Sequence, residues 1–247
     1  MSKLLLLILS LNFFCLVFTP ANTVFAAEEK MSSKNFLDRV RHPAGRKRWA
    51  IMDGKIIHRQ DNKTVKAVLY LGILFNSERT LAQVVINKAQ GYMVGQEFAQ
   101  GSNGTSIIPL NKMTKEAPII GYFGLRPEDL TMTFLYWKFV KEYPEESTKM
   151  IDCRVFMLES PDSKETAKVW IAEKYFFPIK VEWTKAKDKE PSRVLEVDSF
   201  KTQGNYGVIK RLDLHGPGWR TKINFTKTEI GTPEKGAIPK DLFLKLK

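Results

Sequence analysis

Cysteine and histidine are scarce in this chain, and their scarcity removes several kinds of protein at once. Of 247 residues two are cysteine, Cys15 and Cys153, and three are histidine, His42, His58 and His215. Cys15 lies inside an N-terminal apolar run, so the body of the chain has one thiol and no internal disulfide framework. Cys153 sits in the apolar stretch Ile151–Val155 and reads as a buried structural thiol. The histidines lie far apart and none has a second ligand at a metal spacing, so no metal site is expected. A Gly-x-Ser-x-Gly elbow is missing, and no histidine signature accompanies Cys153. The glycine-rich stretch Gln100–Thr105 lacks the lysine and the strand-to-helix setting of a phosphate cradle. Carboxylates are plentiful, but none are paired by spacing for acid and base roles. Glu128-Asp129 is better explained as a helix start. No catalytic residues and no cofactor are implied.

The chain opens on an apolar segment. Lys3 precedes the apolar run Leu4–Val17, and Val24-Phe25-Ala26 offers small residues at the usual cleavage positions. Residues 1–26 read as a secretory signal peptide, with an uncleaved anchor helix as the alternative. Cys15 is preceded by Phe13-Phe14 rather than by small residues, which argues against lipidation. Cleavage after Ala26 leaves 221 of the 247 residues, enough for one domain over 27–247. It also removes Lys3, the leader's only charge, and so takes the net charge from +12 to +11. A basic exported protein meets anionic membrane surfaces, lipids and cell-wall polymers before nucleic acid. The basic segment Arg39–Arg48 is either an anionic-lipid or partner patch or a solvated connector.

What is present in abundance is strand. From Lys164 to Ile230, short runs of β-branched and aromatic residues alternate with turn clusters: Glu165–Ala172, Phe177–Trp183, Arg193–Lys201, Gly207–Leu214 and Trp219–Ile230. The front half is a second meander. Trp49–Gln60 reads as a strand pair pinched at Asp53-Gly54, the strongest short hairpin signal in the chain. Asp61-Asn62 turns into Thr64–Phe75, whose Val65, Ala67, Leu69, Leu71, Ile73 and Phe75 share one face by the period of two. The opposite face, with Val68, Tyr70 and Leu74, is too apolar for plain exposure. Thr80–Asn87 follows, and Gln90-Gly91 turns into Tyr92–Phe98.

Helix signals are few. Ser33 can cap a short helix over Lys34–Arg41 that Pro43 and Gly45 stop. Gly124–Leu130 starts a helix, with Pro127 in its first turn and Glu128 and Asp129 complementing the dipole. Leu130, Phe134 and Trp137 then fall on one helical face. Lys149–Leu158 reads as the next strand, and Gly236–Phe243 is a short apolar closing segment.

Taken in order, Gly124-Leu-Arg-Pro-Glu-Asp-Leu130, Phe134-Leu-Tyr-Trp137, Cys153-Arg-Val-Phe-Met-Leu158, Pro178-Ile-Lys-Val-Glu-Trp183, Gly218-Trp-Arg-Thr221 and Ile238-Pro-Lys-Asp-Leu-Phe243 resemble the LolA-like outer membrane lipoprotein-sorting proteins. The resemblance runs from Trp49 to Phe243. Two places depart from it: the lysine-rich turn Lys185–Pro191 replaces an Asp-x-x-Gly hairpin, and Trp219 stands where the family has histidine. The resemblance implies a mainly β chain with a few helices: a curved, incomplete antiparallel β-barrel with helices covering the concave face. It also implies a periplasmic carrier whose apolar cavity holds the acyl chains of lipoproteins or lipids.

On that reading Leu69, Leu71, Ile73, Val84 and Ile86 line the concave face, and Leu130, Phe134 and Trp137 form the lid side. Each of these residues serves an ordinary packed core equally well. Partners of a carrier would be acyl chains, an anionic membrane surface and envelope transport proteins, with no nucleic acid. The alternative is a non-enzymatic cell-envelope interaction module with a filled barrel and a basic surface. An enzyme whose site is assembled from distant residues is the third reading. The state of the interior separates them: open and apolar for a carrier, filled for a module, a cleft with convergent acids and bases for an enzyme.

Overall fold

The computed structural model describes residues 30–42, 47–98, 104–110, 120–203, 206–233 and 236–246. The leader, the Pro43 and Gly45 helix stop, the glycine-rich stretch Gln100–Thr105 and the Gly204-Asn205 turn lie mostly or wholly outside these residues. Ser32–Lys247 form a compact unit. Its strands are β1 (Arg48–Gln60), β2 (Lys63–Phe75), β3 (Arg79–Ile86), β4 (Gln90–Glu97), β5 (Thr105–Pro109), β6 (Lys138–Thr148), β7 (Ile151–Glu159), β8 (Glu165–Ala172), β9 (Phe177–Lys185), β10 (Arg193–Gln203), β11 (Tyr206–Gly216) and β12 (Trp219–Gly231). All pair antiparallel in one sheet of order β5-β4-β3-β2-β1-β12-β11-β10-β9-β8-β7-β6. The two meanders expected from sequence are therefore sewn together by β1 against β12. The sheet stays open between β5 and β6, giving the expected curved, incomplete barrel.

Both free edges are protected. β5 is five residues long. β6, Lys-Phe-Val-Lys-Glu-Tyr-Pro-Glu-Glu-Ser-Thr, carries a proline, five charges and two register irregularities. Charge, proline and bulges all discourage a further strand from adding. The same features hide β6 from sequence reading, which begins a strand only at Lys149. Lys149 and Met150 instead form the two-residue turn between β6 and β7, both with positive φ (53° and 62°).

Asp53-Gly54 is not a hairpin. β1 runs straight through it, paired with β2 without a break, and the register against β12 shifts there. The pair marks a bulge, where the Phe225 ring comes within 3.2 Å of where a Gly54 Cβ would stand. Asp61-Asn62 is the real turn, with φ of 48° and 60°. Likewise Asn87–Ala89, rather than Gln90-Gly91, joins β3 to β4.

Helix α1 (Ser33–Arg41) starts one residue before the expected Lys34 because Ser32, not Ser33, caps it: its Oγ accepts from Asn35 N at 3.3 Å. Phe36, Leu37 and Val40 are buried against the concave face. Phe36 stacks on Phe156 at 5.6 Å between ring centres, with the Arg154 guanidinium 4.5 Å above the same ring.

Two parts of the convex face have their own cover. The closing segment crosses β2, β3 and β4 on the outside. Tyr70 donates to the carbonyls of Asp241 and Leu242, both at 2.9 Å. Gln83 Nε2 donates to Leu244 O at 2.9 Å, and Leu244 N donates to Gln83 Oε1 at 2.7 Å. This explains why β2 is apolar on both faces around Tyr70. A second convex cluster, of Cys153, Val155, Trp170, Ala172 and Ile179, is capped by Lys168 and Lys180, each 4.5 Å from the Trp170 ring. Cys153 is buried there, and burial pushes its thiol up to about 11.

Candidate functional site

Of the chain between β5 and β6, residues 120–137 are described and pack over the concave face. They contain a 3-10 helix (Ile120–Phe123), helix α2 (Pro127–Thr131) and a second 3-10 helix (Thr133–Tyr136). The single helix expected through Leu130, Phe134 and Trp137 is broken at Met132, which adopts the left-handed region (φ 56°). β-branched Thr131 and Thr133 flank the break and favour helix poorly. The three side chains consequently go to three different places.

This lid is held at both ends. At its start, Gly124 (φ 67°) lies so close to Trp219 that a Cβ there would stand 2.4 Å from the indole. Thr221 donates to Phe123 O at 2.6 Å, which leaves its oxygen to accept from His58 Nδ1 at 2.8 Å. Two stretches far apart in sequence, Gly124–Leu130 and Gly218–Thr221, thus form one corner. Arg126 N donates to Asp129 Oδ2 at 2.8 Å, the helix-start role expected of that acid. Asp129 also takes a buried two-point contact from Arg193 of β10, at 2.7 and 3.1 Å. Arg126 makes a similar contact to Glu165 of β8, at 2.6 and 3.2 Å. At the far end, Arg41 of α1 donates to the carbonyls of Leu135 (2.7 Å) and Trp137 (2.9 Å). Tyr136 donates back to Arg41 O at 2.5 Å, and burial holds its phenol well above the ordinary range, so it remains a donor.

Beneath the lid lies a cavity of about 240 Å³ with a mainly apolar wall. Leu71, Ile73 and Leu130 line it, together with Met52, Ala82, Val94, Leu212 and Phe225 from the sheet and Val40 from α1. Leu69, Val84 and Ile86 lie on the same concave face but are packed into the core around it. Phe134 is fully buried edge-on against Trp183, with ring centres 5.3 Å apart, and fills the β9–β10 side instead of lining the opening. Trp137 faces outward into an open groove of about 810 Å³, which it shares with Arg126, Glu128 and the charged turns at 160–164 and 185–188. That groove is larger and more open, and several charged side chains stand along it. Sequence reading missed Val94 and Phe225, although the same period of two selects both.

Among the described residues no cluster of His, Cys, Asp and Glu could hold a metal ion, and no helix is long and apolar enough to cross a membrane. His58 is committed to Thr221, while His42 lies on α1's cap and His215 on β11.

No family model matches the chain, and no curated protein does. Solved structures do. A DUF1329 family protein from Desulfovibrio piger superposes with a TM-score of 0.62 at 11% identity, over 78% of this chain and 90% of that one. A putative outer membrane lipoprotein-sorting protein domain from Vibrio parahaemolyticus gives 0.60 at 14%, over 78% and 88%. A LolA superfamily protein from Nitrosomonas europaea gives 0.50 at 13%, over 87% and 99%. The chain therefore has a LolA-like fold.

Proposed function

We propose that this protein is an exported, periplasmic carrier that holds acyl chains of lipids or lipoproteins in the cavity beneath its lid. The observation that carries the reading is that cavity: a concave, mainly apolar space walled by Leu71, Ile73 and Leu130 beneath a covering segment. Burial of each CH₂ is worth about 0.8 kcal/mol, so even a short length of chain would be held well. The fold likeness to a putative lipoprotein-sorting domain supports the same reading. On it, residues 1–26 are the export signal and 27–247 the single carrier domain, and no chemistry on the cargo is called for. Leu71, Ile73 and Leu130 touch cargo, Leu69, Val84 and Ile86 back the wall, and Phe134 and Trp137 hold the lid. Acyl chains are the cargo, and envelope transport proteins give or take it.

Titration with a fluorescent fatty acid and displacement by an acylated peptide tests this. Saturable, displaceable binding that Ile73→Trp abolishes by filling the cavity is expected. Absence of binding at micromolar protein would overturn it.

The cavity's size favours a second reading. At about 240 Å³ it falls below the roughly 300–1,000 Å³ of ordinary ligand sites. An envelope interaction module with a filled barrel and a basic surface needs no more room. The carrier reading requires the lid to give way when cargo enters.

A further inference from the structure

The convex side of β2-β1-β12-β11 carries a surface that the carrier reading does not use. Strand register places its outward residues in three rows. Thr64, Arg59, Arg220 and His215 lie side by side; then Lys66, Ile57, Lys222 and Asp213; then Val68, Lys55, Asn224 and Arg211. With strands about 4.8 Å apart and alternate residues about 7 Å apart, these twelve residues cover roughly 14 by 14 Å. Six are Lys or Arg, and Asp213 is the single acid. Asp213 is already taken, by Arg220 at 2.6 Å and Lys222 at 3.8 Å, and Arg211 is paired with Asp198 at 3.0 Å. Arg59, Lys55 and Lys66 are exposed, and Arg59 stands directly opposite Arg220. Shallow clefts open on both sides of Arg59, one with His215, Trp219 and Arg220, the other along Gln60–Thr64. Ile57 (37% exposed) and Val68 (47%) stand among these cations.

We infer that this face docks on an anionic phospholipid bilayer, with phosphate groups seated at Arg59 and at Lys55 and Lys66. Charge complementarity selects an anionic partner: Asp213 answers Arg220, and the exposed cations Arg59, Lys55 and Lys66 beside that pair can meet phosphates by charge-assisted hydrogen bonds. Ile57 and Val68 select a bilayer over a soluble polyanion, because only the bilayer offers hydrocarbon beside the phosphates. The inference stands apart from the cavity: cargo could be bound without docking, and docking could occur without cargo.

The test is co-sedimentation of the protein with vesicles of phosphatidylcholine, alone or with 30% phosphatidylglycerol, at about 0.1 M salt. Binding to the anionic vesicles only, weakened by salt, is expected. The exposed triple variant Lys55→Gln, Arg59→Gln, Lys66→Gln should lower partitioning at least tenfold with unchanged thermal unfolding. The charge-matched control Lys185→Gln, Lys187→Gln, Lys189→Gln, on the β9–β10 turn, should keep it. Ile57→Ser with Val68→Ser should weaken vesicle binding several-fold and leave binding to soluble polyphosphate unchanged. Equal loss in the control triple would make the effect one of net charge and overturn the inference. So would failure to bind anionic vesicles, or indifference to the Ile57 and Val68 changes.

Discussion

Asp129 of the lid and Arg193 of β10 are 64 residues apart and meet in a buried two-point ion pair, at 2.7 and 3.1 Å. Asp129 serves twice, because the same carboxylate accepts from Arg126 N at the start of α2. The guanidinium lies 4.2 Å from the Trp183 ring centre, which in turn meets Phe134. One contact therefore ties the lid to the filled half of the barrel and leaves the cavity on the other half.

Removing one partner of this pair should be costly, since the other charge stays buried. Arg193→Ala or Asp129→Ala should each destabilise by about 3–5 kcal/mol in urea unfolding. Replacing both, as Asp129→Leu with Arg193→Met, should recover much of that loss. Equal destabilisation by single and double variants would contradict the assignment.

The strap over the convex face depends on a missing side chain. A Cβ on Gly72 would stand 2.1 Å from Leu242 O. Gly72→Ala should cost about 1–3 kcal/mol and expose the C-terminal segment to proteolysis. In a chain ending at Pro239 the same substitution should be close to neutral, and this double-mutant cycle is the check.

Glu128, at the lid's outer groove, has its carboxyl raised above the ordinary range, chiefly by burial. The folded state then holds that proton more tightly than the unfolded chain. Stability from this group is greatest below the unfolded carboxylate range and falls as pH rises through the folded value. Glu128→Gln should therefore raise the melting temperature at pH 7 and have little effect near pH 4. A stabilisation that is the same at both would contradict it.

Cys153 should be silent to thiol reagents. Its burial and a thiol pushed up to about 11 leave little thiolate at pH 8. Labelling by iodoacetamide should proceed only at the rate of unfolding, and fast labelling of native protein would place the side chain elsewhere.

The concave face was legible in sequence because a period of two over Thr64–Phe75 can be read without knowing the partner strand. Leu71 and Ile73 follow from it directly. β6 was not legible, because an edge strand is selected for charge, proline and irregularity rather than for alternation. Asp53-Gly54 carries hairpin chemistry, but the same glycine serves a bulge where Phe225 needs room, and only tertiary packing decides between them. The lid's break at Met132 is a single backbone choice, and it separates Leu130, Phe134 and Trp137 into cavity, core and groove. The Asp129–Arg193 and Gly124–Trp219 contacts span 64 and 95 residues, and nothing local announces them.

The most direct measurement is native mass spectrometry of the protein purified from its own cell envelope, with lipid analysis after denaturation. A stoichiometric acyl-chain adduct is expected, lost in a Leu71→Glu variant that still folds. A clean mass with no adduct, and no uptake of added lipid or lipopeptide, would contradict the carrier reading and leave the barrel as a filled interaction module.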